Sequence, residues 1–174
     1  MLRVLHRLGR SDGAEIAEAA LVLPIVFTFL LGIIWFGRAF QIYSTITQAA
    51  QQGAVTAARP TCAIGCGNSF PGDAAVDSSV SAVMQASSLD PAQIIQPPNP
   101  AAQDCPDPIP VHTCTATSNK IVVCRQVRLN PSSTPVQCGV IVILQYPFQF
   151  LVPFTTLGSN QIVLTGQAQS RMEN

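Results

Sequence analysis

The sequence predicts an α+β fold in which one long N-terminal helix packs against a small antiparallel sheet. Residues 14–59 stay compatible with a single helix and contain few breakers. After residue 110, segments rich in β-branched residues alternate with turn-forming residues, as in strands joined by hairpins. The chain therefore divides into a basic leader at 1–13, a long helix at 14–59, and a cysteine-containing α+β domain at 60–174.

The first part of the long helix is predicted to cross a membrane. An uncharged apolar run extends from Ala19 to Gly37. As an α-helix this run is about 28 Å long, close to the hydrocarbon thickness of a bilayer. We expect a transmembrane segment at about residues 19–39.

The charges that flank this run predict its orientation. Basic residues precede it at Arg3, His6, Arg7 and Arg10, and only Asp12 opposes them. The positive-inside rule then places the N-terminus in the cytoplasm and the domain after about residue 38 on the other side of the membrane.

A secretory signal peptide, cut after the apolar run, is the alternative explanation of the leader. The run is longer than a usual signal core, and Arg38, Ala39 and Phe40 do not provide a clean small-x-small cleavage site. Cleavage before the run, at Gly13, is therefore favoured, and it would leave the apolar helix on the mature protein.

The exported domain is predicted to begin where Pro60 ends the long helix. Apolar residues at helical spacing predict a second helix from Asp73 to Ser88. Prolines and polar residues dominate from Leu89 to Pro110, which predicts a partly extended loop. Strands are predicted at four segments, residues 111–117, 120–129, 136–146 and 161–171.

The strand at 136–146 is predicted to be central, because Val140 to Leu144 are apolar on both faces and a helix must cover one of them. The turn residues Asn130 to Thr134 predict an antiparallel hairpin with the preceding strand. The apolar and aromatic stretch from Pro147 to Leu157 is predicted to be a loop, packed either in the core or near the membrane, with a partner-binding patch as the alternative.

Six cysteines follow the apolar run: Cys62, Cys66, Cys105, Cys114, Cys124 and Cys138. An even number in a small exported domain predicts disulfides, although the sequence does not choose their pairing. Free buried thiols and a zinc site are the alternatives. Zinc usually needs paired cysteines or Cys/His sets, and neither His6 nor His112 belongs to such a set. No metal and no cofactor is predicted.

Composition argues against nucleic acid as a partner and against catalysis. Charged residues make up 10% of the chain and the net charge is zero, whereas phosphate binding needs a basic face. The exported domain has a single histidine and scattered acids, and no nucleophile–base–acid order emerges. Asp104 and Asp107 flank Cys105 in a proline-rich loop and are expected to be solvated. The chain is predicted not to be an enzyme.

The leader and the apolar helix together resemble the type IV prepilin pattern. In that pattern a prepilin peptidase cuts after a glycine, and a glutamate is the fifth residue of the mature chain. Counted from Ala14 in GAEIAE, Glu18 is fifth. The longer string AEAALVLPIVFTFLLGIIWFGRAF is similar, more narrowly, to TadE/TadG-like pseudopilins of bacterial tight-adherence (Tad, Flp pilus) systems. QAAQQGAVTAAR, VIVILQYPFQFLVPF and QSRMEN also resemble segments of that family.

This resemblance implies a pilin-like structural component, a TadE-like pseudopilin or minor pilin, of a Tad/Flp-type pilus assembly and secretion machine in adhesion or biofilm formation. The implied partners are a prepilin peptidase, other pilin-like subunits, inner-membrane platform proteins and membrane lipid. The implied location is the inner membrane of a bacterial envelope, with a periplasmic or extracellular domain, or a surface pilus. A single-pass anchored envelope domain that binds a ligand or a protein is the alternative.

Gly13 and Glu18 are the residues to which the resemblance assigns roles. Gly13 lacks a side chain, which suits close approach of the Gly13–Ala14 peptide bond to a protease. Glu18 has three interpretations: a solvated acid in the first helical turn, a partner of the new Ala14 amine, or, as the resemblance implies, a partner of the Ala14 amine in a neighbouring subunit. Glu15 competes with Glu18 as the acid at the membrane boundary.

Pro24 is predicted to kink the helix, because it removes one backbone donor and clashes with the carbonyl of Ala20. Small residues recur at four-residue spacing, which favours close helix packing, although the abundance of alanine alone can produce it. These residues are Thr28, Gly32, Ala49, Gly53 and Ala57.

Overall fold

The computed structural model of the chain describes residues 12–59, 70–106, 112–130, 132, 134–149 and 161–172. It contains two α-helices, α1 (Asp12–Ala58) and α2 (Asp73–Ala86), a 3-10 turn at Pro91–Gln93, and four strands. The strands are β1 (Thr113–Ala116), β2 (Val122–Arg128), β3 (Cys138–Gln149) and β4 (Gln161–Arg171). The predicted α+β class, with a long N-terminal helix and a small antiparallel sheet, is confirmed.

The chain forms two compact units, residues 1–40 and residues 41–174. The first consists, as far as it is described, of the N-terminal part of α1. Its apolar side chains are exposed almost throughout, with 70% of the Phe29 surface and 79% of the Phe36 surface accessible. The helix from Glu15 is long and apolar enough to cross a membrane, and its most apolar window has a mean hydropathy of 2.5 and is not buried by the protein.

The second unit is organised by a four-stranded sheet of order β1-β2-β3-β4 in which every neighbouring pair is antiparallel. The predicted hairpin between the second and third strands is confirmed. β2 contains a bulge between Cys124 and Val127, where Gln126 has a φ of 58°. β3 and β4 pair without interruption from Gly139↔Arg171 to Gln149↔Gln161.

The structure corrects the predicted end of β3. The sequence places Pro147 and Phe148 in a loop, but β3 continues to Gln149. Pro147 is tolerated because its nitrogen faces the side of β3 where β2 has already ended, since the β2–β3 register begins at Val122↔Ile143. The remainder of the predicted loop, residues 150–157, lies outside the described residues.

One face of the sheet is covered by α2 and by the part of α1 that belongs to the second unit. Small and β-branched residues allow this close packing: Ile46, Ala49, Ala50 and Ala57 are completely buried. α1, α2 and β3 meet at Gly53, where a Cβ atom would lie 2.8 Å from Val80 Cγ2 and 3.4 Å from Val142 Cγ1. The later small residues therefore form a packing face within this unit, whereas a Cβ at Gly32 would contact nothing within 4 Å.

The opposite face of the sheet is covered by the proline-rich segment that precedes β1. Its Ile95 N–H donates to the Gln145 carbonyl at 2.9 Å, and its Gln103 carbonyl accepts from the Arg128 N–H at 2.9 Å. Beneath it lies an apolar cluster that Ala102 helps to cover: Val122, Cys124, Val127, Ile141 and Ile143. The predicted central strand β3 is thus buried on both faces, by helices and by an extended segment.

Candidate functional site

The start of α1 brings the predicted processing and assembly residues into one helical segment. α1 begins at Asp12, so Gly13 and Ala14 lie in its first turn in the uncleaved chain. Glu15 and Glu18 are exposed. Residues 14 and 18 are four apart and therefore lie one above the other on the same helical face. Cleavage after Gly13 would create an α-amino group one turn from the Glu18 carboxylate.

The helical surface that follows Glu18 has the character of a lipid-facing surface. Between Ala19 and Gly37 it has no charged residue, and its large apolar side chains are exposed. An apolar concavity on one face of this helix is lined by Ala19, Val22, Leu23, Val26, Phe27 and Leu30. Apolar side chains exposed in this number are stable in lipid or against another helix, but not in water.

Pro24 lies inside α1, which is continuous through it. Close by, the Thr28 hydroxyl donates to the Ile25 carbonyl at 2.7 Å. Prolines are tolerated in membrane helices when neighbouring groups compensate for the lost donor. The predicted kink at Pro24 stays a prediction.

Four of the six candidate cysteines form disulfides in the described part of the chain. Cys114 and Cys124 are opposite each other in the β1–β2 register, with a Cα–Cα distance of 4.0 Å. Cys105 and Cys138 join the proline-rich segment to the start of β3, with a Cα–Cα distance of 6.0 Å. Cys62 and Cys66 lie outside the described residues. The sequence left the pairing of the cysteines open, and the structure assigns two disulfides.

Asp104 and His112 form a hydrogen-bonded contact that was not predicted from the sequence. The Asp104 carboxylate accepts the backbone N–H of His112 at 2.9 Å and lies 2.5 Å from its Nδ1. These hydrogen bonds, first that of the backbone N–H and then that of the ring, lower the pKa of Asp104. Asp104 is solvated, as expected, because half of its side chain is exposed, but it also holds the segment that leads into β1. Asp107 lies outside the described residues.

Two further carboxylates connect α2 to the sheet. Asp73 Oδ1 accepts from Arg125 Nη1 at 2.7 Å. The buried Asp77 accepts from the Ser118 hydroxyl at 2.6 Å and from the Asn119 N–H at 3.2 Å. Both have structural partners, and among the described residues no group of three His, Cys, Asp or Glu side chains is placed to hold a metal ion.

These features define a class of protein: a chain of pilin-like architecture, in which a helix long and apolar enough to cross a membrane continues into a small α+β domain. Residues 13–55 match the family model described as TadE-like protein, which confirms the family predicted from Gly13, Glu18 and the apolar helix. The match covers most of α1, and the rest of the chain lies outside it. No curated protein and no solved structure matches the chain.

Proposed function

We propose that this chain is a TadE-like pseudopilin or minor pilin that is cut after Gly13 and assembles, through α1, into a Tad/Flp-type pilus machine acting in adhesion or biofilm formation. The observation that supports this most directly is the position of Glu18. It is an exposed acid at the head of an uncharged, exposed apolar helix and lies on the same helical face as residue 14.

Glu18 requires a partner once the helix lies in lipid. An unpaired charge in the membrane costs several kcal/mol. After cleavage the Ala14 amine is an available cation, either in the same chain or in a neighbour. Pairing within one chain neutralises the charge, and pairing between chains also fixes the register of two helices. Glu15 is next to the cut and farther from the apolar run, so it is the less favourable acid for this role.

The location that we propose is the inner membrane, with the N-terminus in the cytoplasm and residues 41–174 on the periplasmic or outer side. The disulfides Cys105–Cys138 and Cys114–Cys124 support this side, because structural disulfides persist in oxidising compartments. The proposed partners are a prepilin peptidase, other pilin-like subunits and inner-membrane platform proteins.

Intact-mass measurement of the native protein tests the processing step. We expect a mature chain that starts at Ala14, and a Gly13→Val variant that keeps its leader. A native chain that starts at Met1 would favour an anchored domain without processing. A start near Phe40 would instead indicate an ordinary signal peptide.

Replacement of Glu18 tests the assembly step. We expect Glu18→Gln to be inserted and cleaved normally but to impair piliation, because the amide cannot neutralise the Ala14 amine. Glu15→Gln is the matched control and is expected to assemble. Normal piliation by Glu18→Gln would restrict this residue to a solvated first-turn acid.

A further inference from the structure

The outer edge of β4 lacks the devices that protect exposed sheet edges. Native edge strands are usually short, charged, interrupted by proline or twisted away by a bulge. β4 is 11 residues long, pairs with β3 without a register shift, contains no proline, and has no charge before its last residue, Arg171. In contrast, the other edge strand, β1, has only 4 residues. No residue that the structure describes pairs with the outer side of β4.

The hydrogen bonds of the sheet show which backbone groups of β4 point outward. The Met172 N–H donates to the Cys138 carbonyl, so these opposed residues form a hydrogen-bonded pair. Bonded and non-bonded pairs alternate in an antiparallel ladder. Even-numbered residues of β4 therefore bond to β3, and odd-numbered residues direct both backbone groups outward. The hydrogen bond of Gln145 is consistent with this alternation. Gln145 lies opposite the odd-numbered Thr165, and its carbonyl accepts from the Ile95 N–H on the side away from β4.

Side chains beside this edge fit an uncharged partner strand. Ile162 and Val163 are 45% and 44% exposed and project to opposite faces of the sheet. Gln167 and Gln169, also exposed, follow toward the other end. A strand added here would gain apolar contacts at one end and neutral polar contacts at the other.

We propose that the β4 edge receives an extended, uncharged segment of another protein chain, which adds a fifth antiparallel strand to the sheet. In this binding mode the main-chain hydrogen bonds supply affinity and the alternate side chains supply specificity. Residues 161, 163, 165, 167, 169 and 171 provide the outward N–H and carbonyl groups. The proposal follows from the edge itself and does not depend on the role of Glu18 or on processing at Gly13.

A second copy of this chain fits the edge poorly. The Thr117 N–H donates to the Ile121 carbonyl, so by the same alternation β1 directs only Cys114 and Ala116 outward, too few to match β4. Pairing of β4 with β4 would require a twofold axis. Since Ile46 lies on Gly166 and Gly53 lies on Val142, that axis would make residues 41–58 of the two α1 helices antiparallel, and the experiment below detects this arrangement by its dependence on protein concentration.

A synthetic peptide with the sequence of residues 161–170 is a suitable probe, because as a free strand it can pair antiparallel with β4 around Gly166. In that register its odd-numbered residues face the odd-numbered residues of β4. Two N-methylated peptides provide the matched pair: one modified at residues 165, 167 and 169, the other at 164, 166 and 168. Binding is measured on the full chain in nanodiscs of phosphatidylethanolamine and phosphatidylglycerol, together with residue-resolved amide exchange.

We expect the unmodified peptide and the even-methylated peptide to bind alike, and the odd-methylated peptide to bind about tenfold more weakly or worse. In the protein without peptide, the amides of Val163, Thr165 and Gln167 should exchange fast and those of Leu164 and Gly166 slowly. The peptide should then slow the odd-numbered amides.

Three results would overturn the proposal. Odd-numbered amides that are already protected would show that the chain itself covers the edge. Protection that increases with protein concentration would identify a second copy as the occupant. Equal weakening by both methylated peptides would show that the peptide binds elsewhere.

Discussion

Gly166 of β4 lies directly against the backbone of Ile46 in α1. A Cβ atom at residue 166 would stand 2.8 Å from the Ile46 carbonyl oxygen and 2.9 Å from its carbonyl carbon. That carbonyl belongs to the hydrogen-bond ladder of α1 and cannot retreat without disturbing the helix. The strand reaches the helix at this point because residue 166 has no side chain.

Gly166→Ala is therefore expected to lower the free energy of unfolding of the second unit by about 1–3 kcal/mol, as in overpacked cores. Denaturant unfolding of the full chain in detergent measures the change. Gln167→Ala is the control, because its side chain is exposed on the same strand and its replacement should change stability by less than about 0.5 kcal/mol. A Gly166→Ala variant as stable as this control would mean that α1 does not approach β4 so closely.

The two described disulfides are expected to contribute unequally. Cys105–Cys138 spans 33 residues and Cys114–Cys124 spans 10. In the chain-entropy model these loops correspond to about 4 and about 3 kcal/mol. We expect the Cys105→Ala/Cys138→Ala variant to be less stable than the Cys114→Ala/Cys124→Ala variant by about 1 kcal/mol in denaturant unfolding. The reverse order would show that local packing around Cys124, which is fully buried, outweighs loop closure.

Local patterns predicted much of this fold, because its helices and strands follow sequence periodicity closely. The segment predicted at 161–171 coincides with β4, and the helix predicted at 73–88 differs from α2 by two residues at its end. The predicted end of β3 was wrong because of Pro147. A strand tolerates proline when no neighbouring strand lies on the side of the proline nitrogen. Whether a neighbouring strand is present depends on the tertiary structure and not on the local sequence.

The contacts between distant segments were not predictable for the same reason. Cys105 meets Cys138 only because the proline-rich segment crosses the second face of the sheet. Asp104 contacts His112 although no helical or strand spacing relates them. The residues proposed for processing and assembly lie within one helix, so their spatial relation follows directly from their spacing.

Asp77 is expected to stabilise the second unit through hydrogen bonds and not through its charge. The residue is 5% exposed, Oδ2 accepts from Ser118 and Asn119, and Oδ1 is buried without a hydrogen bond among the described residues. Asp77→Ala should lower the free energy of unfolding by about 1–3 kcal/mol, because it removes the hydrogen bonds that join α2 to Ser118 and Asn119.

Asp77→Asn provides the matched comparison. The amide oxygen can accept the same two hydrogen bonds, and the buried charge is removed, so its stability should stay within about 1 kcal/mol of the natural protein. Denaturant unfolding distinguishes the two variants. An Asp77→Asn variant as unstable as Asp77→Ala would show that the negative charge itself is required.

Asp104 is expected to make stability depend on pH in the acid range. Hydrogen bonds from His112 lower the pKa of Asp104 in the folded state below that of the unfolded chain. The folded state then binds fewer protons, so the stabilising contribution is complete above the unfolded pKa of about 3.9 and is lost as the pH falls through the lower folded value. Below about pH 4 the natural protein should therefore lose stability more steeply than an Asp104→Asn variant.

Titration of the Asp104 carboxyl by carbon NMR separates the two causes of this shift. In a His112→Ala variant the pKa of Asp104 should rise but stay below its usual range, because the backbone N–H of residue 112, the larger of the two causes, remains. A complete return to the usual pKa in His112→Ala would assign the effect to the imidazole ring alone. Identical acid profiles for the natural protein and Asp104→Asn would mean that the Asp104–His112 contact does not persist in solution.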